Sequence, residues 1–280
     1  MSNTFGRQTP AAFVSSGHKA KASRPGRPVR DRRRLKMDII IMVAKIISLA
    51  IVGGFLSTFV HESGHIIAGL VNGWKFVFIT VGPFKIYADE PGGKIKFGIE
   101  KNLLYWGGIS ATLPQDAKNE NTDTFAKVLI GGPAASLIFG VLCIGIFALT
   151  KAELFIMAGF IALGQGTACA IPMKVRTGSI LNDGTRYMRI RGKGRLADEE
   201  KASFLISIDL LLDPKCGINS DQLEVLLSSE DPVTRYIGCF YEYLSASNRE
   251  DADACAAAKA KMDEAGKLVP PSVRKQYSAV

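Results

Sequence analysis

The stretch "IIIMVAKIISLAIVGGFLSTFVHESGHIIAGLV", Ile39 to Val71, decides how this chain is read. It is apolar almost throughout, yet its second half carries His61, Glu62 and His65. About 20 apolar residues span a bilayer, and this run is longer than that. It fits one long tilted helix, or a span followed by a kinked half-helix with Gly53-Gly54 as the weak point. Asn72-Gly73 closes it as a helix stop. Ionisable groups inside such a segment are costly and mark function.

The polar residues have a pattern. His61-Glu62-Ser63-Gly64-His65 fits H-E-x-x-H. On a helix, positions i and i+4 share a face, so both imidazoles reach one metal ion, and the glutamate between them reaches a water on it. Zinc accepts imidazole nitrogen at roughly 2.0–2.1 Å, and a catalytic site uses three protein ligands plus water. The third ligand is not a histidine. The chain has 3 histidines, and His18 sits in a basic tail. The longer motif with a third histidine fails, because that position is Val71. A carboxylate is required, and the membrane-proximal candidates are Asp89, Glu90, Glu100, Glu153 and Asp183. Asp183 stands out because it follows the last apolar segment and precedes Gly184.

Outward from this segment the chain changes character several times. Residues 74–110 contain "KFVFITVG", "FKIYAD", "KIKFGIE" and "LLYWGGI", divided by Gly82-Pro83 and "EPGGK". Short β-branched and aromatic runs between such turns predict one or two β-hairpins. A polar loop, "PQDAKNENTDT", follows. Further spans are expected at about 125–150 and 154–172, the first carrying the small-residue run "GGPAAS" from Gly131 to Ser136. After Pro172 comes the basic, glycine-containing "MKVRTGSILNDGTRYMRIRGKGR". Residues 196–280 read as helices of soluble character, with Asp231-Pro232 as an N-cap and N1 pair. That region is either a stabilising appendage or a docking platform for a protein partner.

Composition agrees. Hydrophobic residues make up 47% of 280, and mean hydropathy is +0.15. The net charge of +9 belongs to residues 1–36, which hold ten Lys/Arg against one Asp. This tail lacks an apolar period and reads as disordered. Its place beside an apolar segment points to a cytoplasmic, lipid-facing flank. Without a folded reader or interleaved aromatics, no nucleic-acid partner is expected. The positive-inside rule also draws residues 174–195 to the cytoplasm, although three full spans put the two basic regions on opposite sides. A partial return within 39–71, a hidden crossing near 74–110, or a flank without topogenic effect each resolves the conflict. The five cysteines form no C-x-x-C framework and read as free thiols, with Cys143 and Cys169 as packing residues.

"HESGH" in one apolar segment, "GGPAAS" in the next and "IPMKVRTGSILNDG" after a third resemble the site-2 protease family of intramembrane zinc metalloproteases. The resemblance covers about residues 40–190. It implies Zn²⁺ as cofactor, His61, His65 and Asp183 as its ligands, and Glu62 as the catalytic base. It also implies strands near the site, where an edge strand takes an unwound substrate by strand addition. The chain departs from the family at Cys169, three residues before Pro172, and at Ser136, both positions where asparagine is frequent.

The expected architecture is mainly α. It is a polytopic membrane protein with a disordered tail (1–36), a three-helix transmembrane metalloprotease core (37–195) holding a small β-hairpin insertion, and a soluble helical domain (196–280). The expected activity is endopeptidase cleavage of membrane-protein or peptide substrates in the cell membrane, with the lipid bilayer as solvent. The alternatives are a metal-binding, non-proteolytic membrane scaffold whose C-terminal helices bind partners, and a zinc peptidase outside the membrane whose apolar segments are core helices.

Overall fold

A computed structural model of the chain describes residues 29–115, 121–173, 176–177 and 180–277. Most of the expected disordered tail lies outside the described residues, as do parts of the polar loop and of the basic stretch after Pro172. The chain divides into two compact units, residues 1–45 and 46–280. In the first, the described part is the opening of a helix whose apolar side chains, Ile39 to Val43, are exposed. All the site geometry below belongs to the second.

Helix α1 runs unbroken over Val29–Val71. It begins ahead of the boundary expected at 36, and Gly53-Gly54 does not interrupt it. Gly53 instead permits a close helix approach: a Cβ there would stand 3.1 Å from the Ala158 backbone nitrogen. The end of α1 is a Schellman motif. Gly73 holds φ +83°, its N–H bonds Leu70 O at 3.0 Å, and Trp74 N–H bonds Gly69 O at 3.0 Å.

Helices α2 (Asn121–Thr150) and α3 (Glu153–Ala170) follow the sheet described next. Together with Arg33–Val71 of α1, they are long and apolar enough to cross a membrane. Ile138, Val141, Leu142 and Phe160 are exposed on them, as suits helices solvated by lipid. Small residues set their spacing. A Cβ on Gly131 would collide with the Gly64 carbonyl of α1, and one on Gly159 would stand 3.1 Å from the Gly140 carbonyl.

Between α1 and α2 lie β1 (Lys75–Val81), β2 (Phe84–Ala88), β3 (Ile95–Ile99) and β4 (Ile109–Leu113). They form one antiparallel sheet in the order β3-β2-β1-β4, which is more than the one or two hairpins expected. The difference is β4, which returns to the free side of β1 with Ser110 opposite Ile79. Nothing local announces that pairing. Strand β4 is an edge of the sheet.

A two-residue pair of strands, β5 (Arg176–Thr177) and β6 (Ile180–Leu181), leads into α4 (Asp183–Arg191). Then come α5 (Arg195–Leu212), α6 (Ser220–Leu227), α7 (Pro232–Asn248), α8 (Ala252–Gly266) and α9 (Pro271–Tyr277). Asp231 caps α7 by accepting from Thr234 N, with Pro232 at the first turn, as the sequence predicts.

The expected boundary at 195 is not a boundary of packing. Phe204 of α5 stacks on Phe125 of α2 with centroids 4.0 Å apart, and Trp74 lies 6.0 Å from Phe204. The Arg186 guanidinium sits 4.8 Å over the Phe125 ring and donates to Glu200 Oε1 at 2.7 Å. One apolar cluster thus joins the loop after α1 to helices α2, α4 and α5. Phe204→Ala is expected to cost about 3–5 kcal/mol, read as a lowered unfolding midpoint of the full chain in detergent.

Candidate metal centre

One face of α1 presents His61 and His65, one turn apart. Their Nε2 atoms lie 3.3 Å from each other. Asp183, the first residue of α4, brings Oδ2 to 3.3 Å from His61 Nε2 and 3.6 Å from His65 Nε2. Among the five carboxylates weighed from sequence, Asp183 alone is brought to the histidines in the described contacts. Asp89 pairs with Lys96, Glu100 pairs with Lys85, Glu90 is exposed, and Glu153 opens α3 at the opposite end from Cys169.

These separations fit a bound ion. Ligands about 2.0–2.1 Å from a tetrahedral metal stand roughly 3.3–3.4 Å apart. The hydrogen-bonding chemistry agrees. His65 Nδ1 lies 2.7 Å from the Val128 carbonyl, which only accepts, so Nδ1 carries the proton and Nε2 of the neutral ring is bare. His61 Nδ1 lies 2.9 Å from the Ser136 hydroxyl. With that Nδ1 donating to the Ser136 hydroxyl, both Nε2 atoms would face Asp183 Oδ2 as lone pairs, a donor set suited to a metal cation.

Two glycines are needed for the histidines to reach this arrangement. A Cβ on Gly132 would overlap the His65 ring, and one on Gly64 would strike the Gly131 carbonyl. The run "GGPAAS" therefore makes room for a ligand as well as for a helix. Its last residue, Ser136, is wholly buried and orients His61. In the sequence Ser136 stands out only as a departure from the family pattern. Ser136→Ala is expected to lower zinc affinity by about 10–100-fold, measured by competition with a chromogenic chelator.

Asp183 is placed by its neighbours. Asn182 caps α4 by accepting from Thr185 N, and its amide donates to the carbonyls of Ala168 at 3.0 Å and Ile171 at 2.6 Å at the end of α3. Asn182 thereby ties the two helix ends together. Gly184 is pressed against the Ala170 carbonyl, with no room for a Cβ. The Asp-Gly pair thus has a steric reason: the Asp183 carboxylate sits where two backbones touch.

Glu62 points elsewhere from the same turn. It is 8% exposed, and its Oε2 accepts from Ser110 Oγ of β4 at 2.7 Å. Gly108, at φ +101°, passes so close that a Cβ there would lie 2.8 Å from Glu62 Oε1. The sheet's edge strand and the helix's carboxylate therefore meet one residue along α1 from His61. No sequence signal singles out Ser110. Cys169, expected to be a packing residue, has its thiol within 4.8 Å of ligand atoms of His61 and Asp183.

Two histidines from an apolar helix and a carboxylate at the start of the polar helix α4, with a buried glutamate beside them, form the donor set of a metallopeptidase. The chain matches the model of peptidase family M50 over residues 49–272, and it belongs to that family, the site-2 proteases. At the family level it is a membrane metallopeptidase, of a kind generally dependent on zinc. No curated protein and no solved structure matches the chain significantly.

Proposed function

We propose that this chain is a zinc endopeptidase that cleaves membrane-spanning or membrane-associated peptide substrates within the bilayer. It would be a multi-pass protein of the cell membrane with its basic N-terminal tail in the cytoplasm. The observation that carries the reading is the triangle of His61 Nε2, His65 Nε2 and Asp183 Oδ2, with edges of 3.3, 3.3 and 3.6 Å. These three residues would hold the ion. Zinc bound there lowers the pKa of a water to about 7 and polarises a peptide carbonyl.

The chain's own groups do the rest. Glu62 takes the proton of the attacking water and delivers it to the leaving amine. The hydrogen bond from Ser110 aims that carboxylate, and burial keeps competing water away from it. A substrate helix has to unwind first, because its backbone bonds shield the scissile amide. Strand β4, an edge of the sheet, would take the extended segment by strand addition, and it carries Ser110, the partner of Glu62. Binding by strand addition and presentation to the base then occur on the same strand.

The test is cleavage by the full chain reconstituted with single-span substrate helices. The expected product ends map inside the apolar segment, and a zinc chelator stops cleavage while added zinc restores it. Product ends confined to the flanking polar segments would remove the intramembrane assignment. A zinc-loaded chain that cleaves none of the substrates would favour the scaffold reading.

A further inference from the structure

We propose that Cys169 is a fourth protein donor of the same centre, so that the resting site is closed by sulfur in place of water. The inference rests on the metal-centre reading above and goes beyond its three ligands. Its basis is placement. The Cys169 thiol lies within 4.8 Å of donor atoms of both His61 and Asp183. A sulfur at about 2.3 Å and a nitrogen at 2.0–2.1 Å from one tetrahedral ion stand roughly 3.6 Å apart. The thiol is thus at most about an ångström outside donor range, and one rotamer step of a cysteine covers more than that.

The placement is built into the fold. Cys169 lies in the last turn of α3, and Asp183 opens α4. Asn182 holds the two ends together through the carbonyls of Ala168, Cys169 and Ile171, and Gly184 abuts Ala170. The cysteine and the carboxylate therefore keep their spacing while the cysteine side chain alone turns. Sulfur is a soft donor that suits zinc, cobalt and cadmium over magnesium and manganese. On binding, the thiol releases its proton to solvent and the sulfur takes the position that an open catalytic centre leaves for water. Rotation of Cys169 away reopens it. The device is a thiol latch on the centre.

Cobalt spectroscopy on the full chain in detergent tests this. Cobalt(II) in the wild-type chain is expected to give visible d–d bands and a near-ultraviolet sulfur-to-cobalt charge-transfer band. Cys169→Ala and Cys169→Ser are expected to lose the charge-transfer band and keep the visible ones. A wild-type spectrum with visible bands and no charge-transfer band overturns the latch and leaves the centre standing. A charge-transfer band that persists in both variants also overturns it, assigning the sulfur to Cys143, Cys216, Cys239 or Cys255. Visible bands that are missing in the wild type, or unchanged in His61→Ala, overturn the metal centre and the latch with it.

Discussion

Glu62→Gln is expected to keep its zinc and lose cleavage by about 10²–10⁴-fold, the usual contribution of a positioned general base. Glutamine has the same length and still accepts from Ser110 through its amide oxygen, so the fold at the α1–β4 contact survives. It cannot take up a proton at neutral pH, so the transfer from water to amine has no carrier. Zinc is retained because Glu62 lies outside the triangle of His61, His65 and Asp183. The measurement is initial cleavage rate together with metal content of the same preparation. A variant that cleaves within tenfold of wild type would remove Glu62 as the base. A variant that loses zinc would mean that the carboxylate holds metal.

Asp183→Ala is expected to lose zinc as completely as His65→Ala. The loss should exceed the roughly 10–100-fold in affinity that removal of a hydrogen-bonding neighbour such as Ser136 costs. The reasoning is geometric. Asp183 Oδ2 is 3.3 and 3.6 Å from the two imidazole nitrogens, and its own position is set by Asn182 and Gly184 rather than by the contacts it would lose. Substitution therefore empties one corner of the site without moving α4. Metal analysis after dialysis against a weak chelator separates the cases. Stoichiometric zinc in Asp183→Ala alongside zinc-free His65→Ala would remove the third-ligand assignment and reopen the search among the remaining carboxylates.

Local features were legible in advance, because they depend on neighbours in sequence. Two histidines four residues apart share a helix face whatever the rest of the chain does. The stop at Asn72-Gly73, the three long apolar segments and the Asp231 cap belong to the same class. Gly53-Gly54 shows the limit of that reasoning. A glycine pair has one local meaning, weakness, and a second that exists only when Ala158 lies against it.

What the linear chain could not contain are relations between distant residues. Ser110 reaches Glu62 across 48 positions and Ser136 reaches His61 across 75. Ser110 belongs to no motif and Ser136 only closes a run of small residues, and each acquires its role when a strand or a helix is laid beside α1. Asp183 is intermediate: the order of apolar segments and the Asp-Gly pair pointed to it, while its meeting with His61, 122 residues away, depends on Gly131, Gly132 and Gly184 letting backbones come close. The motif chose the chemistry, since imidazole and carboxylate are what zinc binds. Helix packing chose the geometry, since only close-packed small residues bring three donors within about 3.5 Å of one another.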